Sequence, residues 1–198
     1  MTTPTIPDAR TAQPAGSRLQ VSVTTGGRAA LTYGFLAMAV GAAQAVRTGD
    51  TSAQIATGMR WILVAFAVSL VVVVPAHLAL GAFARSPLGA RIAAVGTPLL
   101  AVGAMGSAVN GEDLAWFPAV AVVANALWLV GSVTLGISLW RAGQVPRWVA
   151  VLLPISMPVT LLFSQMGSGL VVGAFWVAVG ALMVSGQLGR SAHGSPRS

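Results

Sequence analysis

The chain has 198 residues, 56% of them hydrophobic and only 8% charged, whereas a soluble domain is about one quarter charged, so water is not its main solvent. Its net charge of +7 rests on eleven arginines and no lysine; they stand between apolar stretches rather than on one basic face, which excludes a nucleic-acid footprint and makes them topology signals. Cysteine is absent, so disulfides, thiolate metal sites and redox pairs are excluded.

Residues 1–27 carry Pro4, Pro7 and Pro14 among Thr, Ala, Ser and Gly with no apolar periodicity, and read as a disordered cytoplasmic tail. The first apolar stretch predicts a span over 29–47. Its end, Ala43-Gln44-Ala45, also has the form of a signal-peptide cleavage site, and cleavage after Ala45 would leave five spans. The long segment before Arg28 is unlike a signal n-region, so the span is expected to be retained. Further uncharged stretches predict spans over 60–84, 92–110 and 117–140, each close to the ~20 residues that one crossing of a ~30 Å hydrocarbon core needs. Between Arg147 and Arg190 the chain runs 42 residues without a charge. That length holds two spans, 148–165 and 169–187. Residues 189–198 form a short polar cytoplasmic tail. The expected fold is therefore all-α: a six-helix transmembrane bundle over 28–188, with no soluble domain.

Orientation follows from the arginines, which are retained on the cytoplasmic side near span ends. With the N-terminus inside, Arg10, Arg18, Arg28, Arg85, Arg91, Arg141, Arg147, Arg190 and Arg197 are cytoplasmic, and only Arg47 and Arg60 face out. Both termini are expected in the cytoplasm of a bacterial cell, in a multi-pass protein of the cell membrane. Trp61 and Trp116 then begin spans at the outer face, and Trp140 and Trp148 flank the inner loop, where indole rings favour the headgroup level. Trp128 and Trp176 fall mid-span, as packing residues.

Two inner loops share a six-residue arginine spacing, Arg85 to Arg91 and Arg141 to Arg147, with Pro98 and Pro154 following at the same offset of 56 residues. A parallel duplication would produce this. So would the positive-inside rule acting on any two hairpins of similar length.

His77 is the one ionisable side chain deep inside a span, just after Pro75, which frees a helical carbonyl. Burial disfavours the charged form, so a neutral imidazole is expected, hydrogen-bonded to a neighbour or binding a ligand. Asn125 and Ser132, two turns apart on the fourth span, should share an inward face. His77, Asn125 and Ser132 are the candidate intramembrane polar site, and interhelical packing is the simpler role for all three. The spans hold no carboxylate or thiol to join His77 at a metal, and the only other histidine, His193, lies in the tail, which excludes bis-histidine haem. Ser168, in Gly167-Ser168-Gly169, lies at the opposite end of the bundle from His77, and no serine sits in a nucleophile elbow. No cofactor, metal or enzymatic activity is expected. At the outer face Gln44, Arg47, Asp50, Arg60, Asn110, Glu112, Asp113 and Gln165 read as solvated loop ends rather than as a vestibule.

Gly169 and Gly173 form G-x-x-x-G, Gly180 follows seven residues on, and Gly96, Gly103 and Gly106 thin one side of the third span. They serve packing within the bundle or offer a seam to a homo-oligomer or a membrane partner. Besides the lipid bilayer, these are the partners the sequence admits. The plan, with a Thr/Pro-rich leader and the loop Trp140-Arg141-Ala-Gly-Gln-Val-Pro146-Arg147-Trp148, resembles the small uncharacterised six-span integral membrane proteins of actinobacterial type. The resemblance covers roughly 29–187 and implies no activity, so no functional residue is carried over. The sequence points first to a non-enzymatic accessory or interaction component of the cell membrane. The alternative is a small transporter or channel for an uncharged or lipid-like solute, with His77, Asn125 and Ser132 along its path.

Overall fold

A computed structural model describes residues 21–46, 57–163 and 166–188, and among these the chain is helical with no strand. Helix α1 (Val23–Ala45) starts where Ser22 lies in extended backbone and its Oγ accepts the Thr25 N–H at 3.1 Å. This cap satisfies one orphan donor of the first turn, and it corrects the expected boundary, because residues 23–27, assigned above to a disordered tail, are helical. Their Thr-Gly-Gly composition has a packing cause: Gly26 lies against Ala79 and Gly27 against Met183 and Val184, leaving no room for a Cβ. Residues 1–20 and the closing tail 189–198 lie outside the described residues.

The second span is a 25-residue rod, Thr57–Gly81, built of α2 (Thr57–Val72) and α3 (Val74–Gly81). Pro75 has no N–H for the Val71 carbonyl, which interrupts the helix at Val73. The ladder survives the break, since Val73 N–H donates to the Ser69 carbonyl and His77 N–H to the Val73 carbonyl, both at 3.1 Å. The rod begins and ends three residues before the expected 60–84, because Ala82 to Ala84 close into a turn. Helix α4 (Leu88–Asn110) ends at Gly111, whose φ of +77° and N–H to the Ser107 carbonyl make a left-handed cap. Helix α5 (Phe117–Ala142) ends the same way at Gly143. Helix α6 (Arg147–Leu162) carries Pro154 and Pro158, and α7 (Ser168–Val184) follows Gly167. These last two start one residue before the expected spans and stop three before their ends.

Counting α2 and α3 together, six rods close into a ring in chain order, with α7 returning to α1. Two antiparallel seams dominate it. On α1, Gly27, Gly34 and Gly41 recur every seven residues and meet Gly180, Gly173 and Gly169 of α7; on α4, Gly89, Gly96 and Gly103 recur every seven and meet Gly131, Ala124 and Phe117 of α5. A seven-residue spacing holds one stripe on its partner along the whole helix, and small residues let the backbones approach. A Cβ on Gly34 would lie 2.7 Å from the Gly173 carbonyl oxygen.

Three rods, Thr57–Gly81, Leu88–Asn110 and Phe117–Ala142, are long and apolar enough to cross a membrane. The surface agrees: Val102, Val122, Val130, Leu161 and Val171 are more than half exposed, while Thr97, Ser107, Ser132 and His77 are buried. Apolar groups outside and polar groups inside is the arrangement lipid favours, and the protein is membrane-embedded. Helix α1 is 23 residues long but less apolar, and α6 and α7 have 16 and 17 residues, or about 24–26 Å each.

A cavity at one end of the bundle

The ring is filled at the end where α1, α4 and α6 begin. Val73, His77, Leu80, Leu135, Leu139, Leu153, Trp176 and Met183 are buried there in one cluster. Five of the six described arginines, Arg28, Arg85, Arg91, Arg141 and Arg147, mark the same end. The Arg147 guanidinium lies 5.2 Å over the Trp140 ring, and Ser138 Oγ accepts the Ser86 N–H at 2.9 Å, tying α5 to the turn before α4.

At the opposite end the ring encloses a cavity of about 490 Å³ lined by all six rods. Exposed Asp113 and half-buried Gln44 mark its mouth, and Tyr33, Ser69 and Trp128 lie deepest along their helices. Gln44 and Tyr33 are eleven residues apart on α1, so the cavity reaches about 16 Å into the bundle. Its walls are mainly apolar: Ile62, Leu63 and Phe66 from the second rod, Leu100 from α4, Phe117 from α5 and Met157 from α6. The α1–α7 seam closes one side through Gly169, whose lack of a side chain lets α7 lie against Ala37 and Gly41.

Polar groups interrupt these walls at a few points. Ser69 Oγ donates to the Phe66 carbonyl at 2.7 Å, Thr160 Oγ1 to the Ser156 carbonyl at 2.8 Å, and Ser168 Oγ to the Thr160 carbonyl at a longer 3.4 Å. Asn125 Nδ2 donates to the Ala121 carbonyl at 2.8 Å. Each bonds main chain on its own helix or, for Ser168, on the helix before it, the usual resource of a hydroxyl or amide without water.

The three residues singled out in the sequence do not meet. Asn125 lines the cavity; His77 and Ser132 do not. Ser132 is fully buried, its Oγ without a hydrogen-bond partner among the described residues. His77 is fully buried too, and neither ring nitrogen has a partner there. What it touches is aromatic: its ring centroid lies 5.1 Å from that of Trp176, edge-on at 70°, and Trp176 in turn meets Tyr33 at 5.5 Å and 88°. Of these three rings only Tyr33, on the cavity floor, is among the lining residues. Of the outer polar residues, Gln44 and Asp113 stand at the mouth, while Asn110 donates to its own helix at Gly106 and Arg60 packs on Gly111. Arg47, Asp50 and Gln165 lie outside the described residues.

Sequence reasoning passed over Tyr33, Ser69 and Thr160 as lining residues. The available signal was positional: each is a polar side chain inside an apolar run, and Tyr33 is the only tyrosine in the chain. No three His, Asp or Glu side chains stand close enough to hold a metal among the described residues. Comparison of the chain with family models, with curated proteins and with solved structures finds no match.

Proposed function

We propose that the protein is a non-enzymatic, membrane-embedded binder and carrier of a small, uncharged, largely apolar solute, which enters from the end marked by Gln44 and Asp113. The observation that carries this reading is the cavity. Its volume of about 490 Å³ falls within the ~300–1,000 Å³ of small-molecule sites, and apolar walls with a few placed polar groups are the usual lining of such sites. The glycine stripes that first suggested an oligomer or accessory subunit meet the chain's own helices, so they lend no weight to an external seam.

The reading includes six spans in the cell membrane with both termini cytoplasmic and the cavity facing out. Five of six described arginines at the end opposite the cavity favour this orientation, as do exposed Trp61 and Trp116 at one end and Trp140 and Trp148 at the other. The test is a cavity-filling substitution. Ala121 lines the cavity and is half-buried, so Ala121→Phe should occupy the solute's space. In lipid nanodiscs, the wild type is expected to bind neutral apolar probes such as decanol above the level of empty discs, and Ala121→Phe to lose at least tenfold in affinity while keeping its helicity. Equal binding by the two proteins would refute the site.

A further inference from the structure

The cavity's lining sets a fixed acceptor and a free donor side by side on α5. Ser69, Thr160 and Ser168 line it, and each has already donated its only hydroxyl proton to a main-chain carbonyl. What each retains is an acceptor oxygen. Asn125 is placed similarly. Only the amide nitrogen can donate to the Ala121 carbonyl, so that bond fixes Oδ1 as a free acceptor and leaves one N–H. Asp113, at the mouth, is an acceptor only, while Tyr33 Oη on the floor and the Gln44 amide at the mouth can each donate and accept. Against these stands the Trp128 indole, a donor that accepts nothing; it lines the cavity and has no hydrogen bond among the described residues. Asn125 and Trp128 are three residues apart on α5 and therefore share a face.

A head group that meets this pair on α5 must both donate, to Asn125 Oδ1, and accept, from the Trp128 indole. An ether or ketone satisfies Trp128 and leaves the oxygens unmatched. An ammonium satisfies the oxygens and leaves Trp128 unmatched. A neutral hydroxyl does both. We infer that the solute is an apolar alcohol whose hydroxyl donates to Asn125 Oδ1 and accepts from the Trp128 indole N–H, with its hydrocarbon body against Phe66, Leu100 and Met157. This inference rests on the ligand-handling reading above and specifies the head group.

The test compares decanol, decyl methyl ether and decylammonium in nanodiscs holding the full chain, with empty discs subtracted to remove partitioning into lipid. Decanol is expected to bind about tenfold tighter than the ether, the worth of one buried hydrogen bond. That preference should fall to near unity in Asn125→Leu, with the ether's own affinity changed less than about twofold, whereas Trp128→Phe removes the donor that both probes accept from and should weaken decanol and ether alike by several-fold. Ser107→Ala, buried on α4 outside the cavity lining, should leave the preference in place and guards against a general loss of folding. Equal affinities of decanol and ether in the wild type would overturn the alcohol while leaving the cavity a binding site. Decylammonium binding tightest, and weakened by Asp113→Asn, would overturn it in favour of charge recognition. No probe bound above empty discs would overturn both the head group and the carrier reading.

Discussion

His77 was recognisable in the sequence because it is the one ionisable group deep in an apolar run, but its surroundings were not. Its contact, Trp176, lies 99 residues away on α7, and nothing in a local pattern pairs them. The imidazole nitrogens and the Trp176 indole nitrogen all lack partners among the described residues, a condition that costs about 1–3 kcal/mol for each buried polar group left unmade. Removing the polarity while keeping the bulk should therefore cost little. His77→Leu is expected to leave thermal stability in detergent unchanged or slightly raised, whereas Trp176→Ala, which empties the centre of the aromatic cluster, should destabilise by about 3–5 kcal/mol. A loss of more than about 1 kcal/mol in His77→Leu would mean that the imidazole is hydrogen-bonded in the membrane. Asn125 was legible as an inward-facing residue by its cost in lipid. Tyr33 and Thr160 were not, because a hydroxyl that bonds its own helix, as Thr160 does, carries little cost and so leaves little trace in sequence.

At the scale of helices, charge spacing located all six rods and misjudged mainly their ends. Charges report where the chain leaves lipid, while helix ends answer to caps such as Ser22 and to the left-handed glycines Gly111 and Gly143. The glycine stripe on α7 was visible, and that on α4 in part, since Gly89 fell before the expected start of its span; the matching heptad on α1 was not, because Gly27 fell within the segment read as tail. Its consequence is an asymmetry among glycines that look alike in sequence. At Gly173 a Cβ would lie 2.5 Å from Met38 Cγ and would also collide with the Gly34 carbonyl, whereas at Gly58 nothing among the described residues stands within 4 Å. Gly58→Ala should therefore be neutral or stabilising by up to about 1 kcal/mol, as expected for glycine replaced inside a helix. Gly173→Leu should separate α1 from α7 and yield aggregated protein on size exclusion. If both variants ran as the same monodisperse species with similar melting temperatures, the α1–α7 seam would be wrong.

For the whole molecule, the ring joins the first helix to the last, so α1 is a wall of the cavity as well as a span. Tyr33, Val40 and Gln44 come from it, and its glycine face is half of the largest seam; cleavage after Ala45 would remove both. The carrier reading further requires that the cavity mouth and the arginine-rich end face opposite sides of the membrane. The chain has no cysteine, so single cysteines report topology without background. Glu112 and Gln144 are both exposed, one in the turn beside the mouth and the other in the turn between Arg141 and Arg147. In intact cells a membrane-impermeant thiol reagent should label Glu112→Cys, and Gln144→Cys only after permeabilisation. The reverse pattern would turn the cavity toward the cytoplasm, so that a solute would load from inside and the positive-inside count would have failed for this chain. Labelling of both positions in intact cells would place the two ends on one side, which no ring of membrane-spanning rods with alternating direction can do.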